Sequence, residues 1–473
     1  MDVCSLPASE MATMLSAGEI SARELLQAHV ERIEALNPVV NALVTLTPER
    51  ALEQATTADR AHARGESLGL LHGLPVAHKD LALTAGVRTT FGSLVFADFV
   101  PDVDALVVER QRRAGAVTVG KTNTPEFGAG SHTFNEVFGP TLNPYDLGRT
   151  CGGSSGGAAV ALAARMLPLC DGSDLGGSLR NPAAFCNIVG FRPSPGRVPS
   201  TTTQDAWFPL SVEGPMARTV ADVAFYLRAM AGPDPRAPLS IAESSDSLAG
   251  SLEREMTGMR VAWSPDAGGL PTDPAIRRAL ADVPDILSDL GCDVVPTWPD
   301  LSDAPRVFQA RRAWQFALRF GPLLAEYRHL MKETVVWNIE KGLSMTVDGY
   351  ADACRRHTLI FALVDEFMSP DGGGFDFLAC PVTQVPPFPI EIEYPQEIDG
   401  KHLETYIDWM RACSDITVTT HPAISVPAGF TTGGLPVGVQ FVGRHQADRS
   451  VLELANAWEQ ATGWGNLSPS IPY

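Results

Sequence analysis

Residues 151–157 read Cys-Gly-Gly-Ser-Ser-Gly-Gly and residues 172–180 read Gly-Ser-Asp-Leu-Gly-Gly-Ser-Leu-Arg, so that Ser154 and Ser178 lie in two separate glycine-rich turns. The Ala/Val/Leu-rich residues between the turns predict a buried helix. Glycine allows backbone conformations closed to other residues and lets a ligand approach closely. In the second turn, consecutive N–H groups can point at one spot, as a tetrahedral oxyanion requires. Ser178 is placed to attack the carbonyl that these groups polarise.

A purely structural interpretation of the two serines is also open, in which Ser154 caps the following helix and Ser178 opens another one. For a single serine this would be the better interpretation. Two serines flanked by glycine pairs and joined by a buried helix favour a catalytic role, because capping does not require the glycine pairs.

A serine nucleophile needs a base, and no histidine lies near either turn in the sequence. Lysine is the other known partner, and Lys79 follows the apolar run Leu74–Ala77. It should therefore sit at the carboxyl end of a buried strand, where active sites of α/β sheets open. Burial would lower the pKa of Lys79, whereas the adjacent Asp80 would oppose that shift if it is close to the ammonium group. From composition alone, a surface lysine at a strand end is equally possible.

Further motifs surround these residues. They are Gly73-Leu-Pro-Val-Ala-His-Lys-Asp80, Gly120-Lys-Thr-Asn-Thr-Pro-Glu-Phe127, Phe138-Gly-Pro-Thr-Leu-Asn-Pro144, Arg180-Asn-Pro-Ala-Ala-Phe-Cys186, Gly190-Phe-Arg-Pro193, Pro422-Ala-Ile-Ser-Val-Pro-Ala-Gly429 and Gly434-Leu-Pro-Val-Gly438. With these motifs the chain resembles, over nearly its whole length, the amidase-signature hydrolases, whose core reads G-G-S-S-G-G…D-x-G-G-S-x-R. The spacing of 24 residues from Ser154 to Ser178 fits the same pattern.

The resemblance implies a role for each matching residue. Ser178 would be the nucleophile, Ser154 a bridging serine held through a cis peptide bond, and Lys79 the base. The backbone N–H groups of Leu175, Gly176, Gly177 and Ser178 would form the oxyanion hole, and Asp174 and Arg180 would pair to brace the loop. We further expect Gly128, Ala129, Gly130, Ser131, Trp207 and Phe208 to bind the substrate. His78, Phe134, Leu175, Asn187 and Arg192 depart from residues common in the family, which leaves the substrate open.

Short apolar runs alternate with helical patterns, which predicts an α/β fold. The resemblance adds a large central mixed and twisted sheet covered by helices on both faces. Predicted strands are 42–46, 74–77, 116–119, 261–263, 294–295, 377–379 and 437–442; predicted helices start at Ser21 and cover 48–64, 105–114, 274–290, 304–332, 347–368 and 449–462. We expect one domain over 1–473, with an N-terminal helical segment (1–65), a catalytic core (72–200) and a more variable helical region (300–370). Residues 232–251 predict an exposed connector.

Composition narrows the function. The formal net charge of −19 disfavours nucleic-acid binding. The N-terminus lacks the pattern of a signal peptide, and the most apolar helical stretch, 158–170, is too short to span a membrane. A cytoplasmic protein with no membrane association is therefore expected. The eight cysteines form no C-x-x-C pair and no H-E-x-x-H motif occurs, so we expect no metal and no cofactor. A homodimer is suggested only by analogy.

Residues 115–122 satisfy the nucleotide-binding pattern G-x-x-x-x-G-K-T. That motif requires a flexible loop between the glycines and a helix that begins at the lysine. Here the intervening Ala-Val-Thr-Val predicts a buried strand, and Pro125 disfavours a helix directly after it. The sequence therefore argues against ATP binding.

The expected substrate is a small molecule with an amide-type C–N bond. If Trp207, Phe208 and the C-terminal aromatic residues Trp314, Phe316, Tyr406 and Trp409 converge on the pocket, that substrate is bulky and apolar or aryl. Linear aryl amides, fatty amides, indole-acetamide-like molecules and carbamates stay open, with esterase or urethanase side activity. Two other functions compete: the amidase subunit of a glutamine-dependent tRNA amidotransferase, and a catalytically silent binding protein on the same fold.

Overall fold

The computed structural model of the chain describes residues 2–66, 68–201 and 205–471. Its helices are α1 (Ala8–Ala17), α2 (Ala22–Val40), α3 (Pro48–Ala63), α4 (Leu106–Arg113), α5 (Gly156–Ala163), α6 (Arg180–Phe185), α7 (Val220–Met230), α8 (Pro274–Ala279), α9 (Val283–Asp289), α10 (Ala304–Tyr327), α11 (Glu333–Leu343), α12 (Val347–Met368), α13 (Arg411–Thr419) and α14 (Asp448–Thr462). Its strands are β1 (Leu43–Leu46), β2 (Pro75–Lys79), β3 (Val117–Thr122), β4 (Leu142–Asn143), β5 (Asp146–Thr150), β6 (Leu169–Asp174), β7 (Val189–Arg192), β8 (Val212–Ala217), β9 (Arg260–Trp263), β10 (Asp293–Pro296), β11 (Phe377–Pro381), β12 (Glu397–Ile398), β13 (Lys401–His402), β14 (Ala423–Phe430) and β15 (Pro436–Gly443).

Eleven of these strands form one mixed sheet in the order β1-β3-β2-β6-β8-β7-β14-β15-β11-β9-β10. The strands β3, β2 and β6 run parallel, as do β11, β9 and β10, whereas the strands between β6 and β11 pair antiparallel. All five residues of β2 are buried, which is expected for a parallel strand covered on both faces. The predicted α/β class with a large central mixed sheet is confirmed.

Two hydrophobic cores cover the two faces of the sheet. Along β11, Phe377 and Ala379 belong to the first core and Leu378 to the second, because successive strand residues point to opposite faces. Residues from α1, α2, α3, α5, α7 and α14 fill the first core. Residues from α10, α12 and α13 fill the second. The helices therefore flank the sheet on both faces, as predicted.

Several local predictions are confirmed. Helix α2 begins after Ser21 with a capping box, in which Ser21 accepts a hydrogen bond from the Glu24 N–H and the Glu24 carboxylate accepts one from the Ser21 N–H. Residues 117–122 form β3 and not a loop followed by a helix. Lys121 is buried there, and its ammonium group donates to Ala82 O and to Thr84 Oγ1. The resemblance to a nucleotide-binding loop is thus confined to the sequence.

Two predicted helices are wrong in extent. The expected helix 274–290 is divided into α8 and α9, because Pro284 in the first turn of α9 lacks an N–H and disfavours helical backbone before it. The expected helix 304–332 ends at Tyr327 and is followed by a 3₁₀ turn, Arg328–Leu330. There the Lys332 N–H donates to Glu126 Oε2 at 2.7 Å instead of to a helical carbonyl.

The predicted connector 232–251 contains one 3₁₀ turn, Ser245–Leu248, and no longer helix or strand. Its exposure is mixed, since Ala237 and Leu248 are buried. No helix in the described ranges combines the length and the apolar character needed to cross a bilayer.

Candidate active site

Two adjacent strands, β2 and β6, and the loops beside them bring the predicted catalytic residues together. Lys79 is the last residue of β2 and Asp174 is the last residue of its parallel neighbour β6. Ser178 follows in the loop from β6 to α6, and Ser154 lies just before α5. Because β2 and β6 are parallel, their carboxyl ends and the loops beyond them meet at one edge of the sheet, as predicted for Lys79.

The Lys79 side chain is buried and directed at Ser154. Its Nζ lies 2.8 Å from Ser154 Oγ, 3.1 Å from Ser173 Oγ and 3.4 Å from Ser173 O. Burial lowers the pKa of Lys79 to about 7, although the carboxylates of Asp174 and Asp171 oppose the shift. A substantial fraction of this amine is therefore neutral near pH 7, and a neutral amine is able to accept a proton.

A buried polar network lies beneath Lys79. The Lys79 N–H donates to Asp171 Oδ1 at 2.9 Å, and Asp171 Oδ2 contacts His78 Nδ1 at 2.5 Å and Gln111 Nε2 at 2.9 Å. Burial alone would raise the pKa of Asp171, but His78 together with the hydrogen bonds from the Lys79 N–H and Gln111 lowers it below its ordinary value. Asp171 thus places a carboxylate below Lys79, on the strand that also carries Ser173. Sequence reasoning noted His78 but not its partner Asp171.

The Ser154 turn is held from behind. The peptide bond between Gly153 and Ser154 is cis. The hydroxyl of Ser131 donates to the carbonyl oxygen of Gly153, and Asn181 Nδ2 donates to Ser131 Oγ at 2.9 Å. Ser131 therefore braces the turn that presents Ser154. It was predicted to bind the substrate, but it does not line the cavity.

Ser178 lies at the end of the second glycine-rich turn, and its carbonyl accepts a hydrogen bond from the Ser155 N–H at 3.2 Å. Among the described residues, no hydrogen bond joins Ser154 Oγ to Ser178 Oγ. Catalytic hydrogen bonds are often long before a substrate binds and tighten in the complex. The two serines nevertheless line the same cavity.

The backbone donors of this turn differ in availability. The Gly177 N–H donates to Asp174 Oδ1 at 2.8 Å, so the prediction that it faces the substrate is not met in this structure. The N–H groups of Leu175, Gly176 and Ser178 form no hydrogen bond to the described residues. A substituent on Gly176 would lie 2.6 Å from Phe308 Cζ of α10, so α10 packs closely on this turn.

A fully buried ion cluster fixes the same turn. Arg180 binds both carboxylate oxygens of Asp174, with Nε–Oδ2 and Nη2–Oδ1 distances of 3.0 Å. Arg192 Nη1 adds a 2.6 Å hydrogen bond to the Asp174 carbonyl and a 3.3 Å contact to Oδ1. Burial alone would raise the pKa of Asp174, but Arg180 and Arg192 outweigh burial and hold it well below its usual range. The predicted pairing of Asp174 with Arg180 is present in the structure.

The serines open onto a cavity of about 630 Å³. Its apolar wall includes Leu81, Phe91, Phe127, Phe208, Phe316 and Phe320. Charged residues also line it, namely Asp104, Asp205, Glu213, Arg236, Arg312 and Arg319. The volume and a wall that includes five phenylalanines suit a small organic molecule. The sequence analysis, which considered only aromatic residues for the pocket, did not anticipate these charged residues.

The predicted substrate-binding residues have different outcomes. Gly128 and Phe208 line the cavity, whereas Ala129 is buried and its carbonyl accepts a hydrogen bond from Lys332 Nζ at 3.0 Å. Gly130 is half-buried. A Cβ atom added to it would lie 3.8 Å from Lys332 Nζ and 3.9 Å from Tyr406 Cδ2. Trp207 is 69% exposed and does not line the cavity, so this structure does not place it where it was predicted to bind the substrate. Its N–H donates to Asp205 Oδ1 at 3.2 Å in a tight turn, after which Phe208 points inward.

The C-terminal aromatic residues also differ in whether they line the cavity. Phe316 lines the cavity. Tyr406 is buried behind the cavity, Trp409 is a core residue stacked on Phe185, and Trp314 packs against Tyr350 near the surface. The sequence analysis missed Ser173, Glu213 and Arg312. Ser173 could have been found from the sequence, because it is a polar residue directly beside the catalytic turn. Arg312 could not, because it lies on α10, far from the motifs in sequence.

We predict that Asp174→Asn lowers the free energy of unfolding by about 3–5 kcal/mol, because two buried guanidinium groups lose their counterion. The pKa of Asp174 is depressed, so this stabilisation is present above the unfolded-state value of about 3.9 and is lost as the pH falls further. Urea unfolding at pH 7 measures the effect. Asp146→Asn, at a half-exposed pair with Arg149, is the matched control and should change little. Equal stability of the two variants would contradict the prediction.

Known proteins resemble the chain over its whole length. The sequence model of the family described as Amidase matches residues 24–452. An acylamidase from Rhodococcus erythropolis is 36% identical over 474 residues, which cover 98% of this chain and 97% of the relative. A glutamyl-tRNA(Gln) amidotransferase subunit from Chromohalobacter salexigens is 34% identical over 488 residues, which cover 98% of each protein.

The structure agrees with these relatives. The crystal structure of a bacterial aryl acylamidase of the amidase signature family matches this fold with a TM-score of 0.90 at 27% identity, covering 99% of each chain. The chain belongs to the amidase signature family of hydrolases.

Proposed function

We propose that the protein hydrolyses a carboxylic amide-type C–N bond of a small substrate through an acyl-enzyme on Ser178, with Ser154 and Lys79 completing the triad. The bond belongs to an amide, an anilide or a carbamate. The observation that carries the proposal is the 2.8 Å hydrogen bond from the buried Lys79 Nζ to Ser154 Oγ, beside a cavity that Ser154 and Ser178 both line. A buried amine with a pKa near 7 in such contact is a base for a serine hydroxyl.

In the first half of the reaction, neutral Lys79 accepts a proton from Ser154 as Ser154 accepts one from Ser178. The Ser178 Oγ–C bond forms, and the carbonyl oxygen becomes an oxyanion. The N–H groups of Leu175, Gly176 and Ser178 would receive it, since these three have no partner in the described protein. The proton returns through Ser154 to the leaving nitrogen, and the C–N bond breaks.

In the second half, water attacks the acyl-enzyme and loses its proton through Ser154 to Lys79. The C–Oγ bond breaks, Ser178 regains a proton, and the carboxylic acid leaves. Each step balances with side chains of this site and water, and none calls for a metal or a cofactor.

A second candidate is the amidase subunit of a tRNA-dependent amidotransferase, which would release ammonia from glutamine for a partner. The relatives named as subunits of such enzymes favour it. The acylamidase relative and the aromatic cavity wall favour an enzyme that acts alone on a small, largely apolar amide. A panel of anilide, primary amide, carbamate, ester and glutamine substrates separates the two functions. The single domain, the cytoplasmic location, the homodimer and the absence of nucleic-acid binding stay predictions.

We predict that Ser178→Ala, Ser154→Ala and Lys79→Ala each lower kcat/KM for an anilide by at least about three orders of magnitude. Released aniline measures turnover, and circular dichroism checks the fold. Ser155→Ala is the control from the same turn, since Ser155 Oγ makes only 3.4 Å contacts to the Ser173 backbone, and it should keep most of the activity. Near-native turnover by Ser178→Ala would refute the proposed nucleophile.

We also predict that kcat/KM rises with pH through about 7, because Lys79 must lose its proton to act as a base. Asp171→Asn removes a carboxylate that favours the ammonium form, so the acid limb should move to lower pH by about one unit. Asp80→Asn is the control, because the Asp80 carboxylate binds Thr90 instead of facing the amine. An acid limb that stays in place in folded Asp171→Asn would contradict this role of Asp171.

A further inference from the structure

Arg312 occupies a special position in the cavity wall. It lies on α10 four residues after Phe308, whose ring packs against Gly176 in the catalytic turn. Four residues of an α-helix rise by about 6 Å, so Arg312 is one turn away from the contact with the catalytic turn. Arg312 also lines the cavity that Ser178 and Ser154 share.

The guanidinium group of Arg312 is buried among neutral partners. Its side chain is 3% exposed. Its Nε donates to Asn338 Oδ1 at 3.2 Å and to Tyr406 OH at 3.1 Å, and its Nη2 donates to Tyr406 OH at 2.8 Å. The Phe316 ring lies 4.7 Å away. Within the described ranges, Arg312 has no carboxylate within 4.0 Å.

A buried charge without a counterion is costly, and buried charges in proteins are normally paired. Other cations that line or border this cavity have carboxylate partners: Arg236 pairs with Asp234 and Glu109, and Lys332 pairs with Glu393 at 3.2 Å. Arg319 has no such pair among the described residues, but its side chain is exposed. Arg312 is thus a buried cation at this wall whose charge no carboxylate of the described residues neutralises.

Three carboxyls line this cavity, and none of them lies within 4.0 Å of Arg312 in the described part of the chain. Asp104 pairs with Arg112, and Asp205 accepts a hydrogen bond from the Trp207 N–H. Glu213 lies opposite Ser173 on β8 and forms no ion pair with Arg312. Burial raises the pKa of Glu213 to about 8, with Asp171 adding to the shift and Arg319 opposing it. Glu213 is therefore mostly uncharged at neutral pH, and no other carboxylate in the described protein reaches Arg312.

We propose that Arg312 binds a carboxylate group of the substrate, so that the enzyme acts on amides that carry a carboxylate a short distance from the scissile bond. The inference rests on the proposed function and narrows its substrate class. Among the described residues, Nη1 and the second hydrogen of Nη2 have no hydrogen-bond partner. These two nitrogens form the planar edge that holds a carboxylate through two parallel hydrogen bonds. The aromatic wall accommodates the rest of an aryl or alkyl substrate.

The test compares matched anilides that differ in one carboxylate. In the first pair, para-acetamidobenzoate and para-methylacetanilide, the carboxylate is present or absent on the amine side of the scissile bond. In the second pair, succinanilic acid and its primary amide, it is present or absent on the acyl side. In the wild type, kcat/KM should favour the carboxylate member of at least one pair by about ten-fold or more. Arg312→Gln should abolish that preference and retain turnover of the neutral member, whereas Arg312→Lys should keep part of the preference.

Tyr406→Phe is the matched control, because it removes a neutral partner of Arg312 and leaves the charge, so the preference should persist. A wild type that does not prefer either carboxylate would overturn the proposal. So would an Arg312→Gln variant that loses both members of a pair equally, since that outcome identifies a purely structural arginine. If Arg312→Gln does not fold, the test is inhibition of the wild type by benzoate and by the neutral benzamide. Stronger inhibition by benzoate supports the proposal, and equal inhibition overturns it.

These outcomes are separable from failure of the proposed function. Turnover of the neutral anilides, and its loss in Ser178→Ala, reports on the Ser178 chemistry alone. If no anilide is turned over, calorimetric binding of benzoate to the wild type and to Arg312→Lys still reports on the anion site. Absence of benzoate binding in that experiment would overturn the inference independently.

Discussion

The burial of Lys79 at the carboxyl end of β2 is the constraint on which the rest of the site depends. In water this amine would be charged and unable to accept a proton near neutral pH. Between β3 and β6, solvent is excluded and its Nζ contacts two serine hydroxyls, Ser154 and Ser173. The carboxylates of Asp171 and Asp174 moderate the effect of burial, so the balance falls near pH 7 instead of far below it. The same strand β6 thus carries both the residues that tune the base and the turn that presents Ser178.

The catalytic turn is held in place by fully buried charged residues. Asp174 ends β6, and its carboxylate holds the Gly177 N–H on one side and two guanidinium groups on the other. Arg180 reaches further, to Gln440 of β15 and Thr417 of α13, and so ties the turn to the other half of the sheet. Helix α10 closes the opposite side through Phe308. The site is therefore a product of the whole fold, although its motifs lie within one third of the chain.

The sequence predicted the site better than it predicted the elements around it. Lys79 could be placed because an apolar run precedes it, and Ser154 and Ser178 because glycine pairs flank them. Strand β6 was missed because Leu-Cys-Asp-Gly-Ser-Asp has the composition of a turn. It pairs with β2 and β8, and the buried Asp171 finds partners that are distant in sequence, His78 and Gln111. The hydrogen bond from the Gly177 N–H to Asp174, three residues earlier, was also not foreseen. Trp207 was assigned to the pocket as an aromatic residue that follows the signature segment, whereas the turn at Asp205 leaves its side chain exposed. Arg312 lies on a helix whose pattern shows only an amphipathic face, and its lack of a counterion is a tertiary property.

The central claim is that Ser178 is a nucleophile activated by the buried lysine. Its most direct test is reaction of the folded protein with a fluorophosphonate probe, followed by mass spectrometry of the labelled peptide. The account predicts one label on each chain, on Ser178, with strongly reduced labelling in Lys79→Ala. Label on another residue, or a folded wild-type protein that takes up no label, would contradict it.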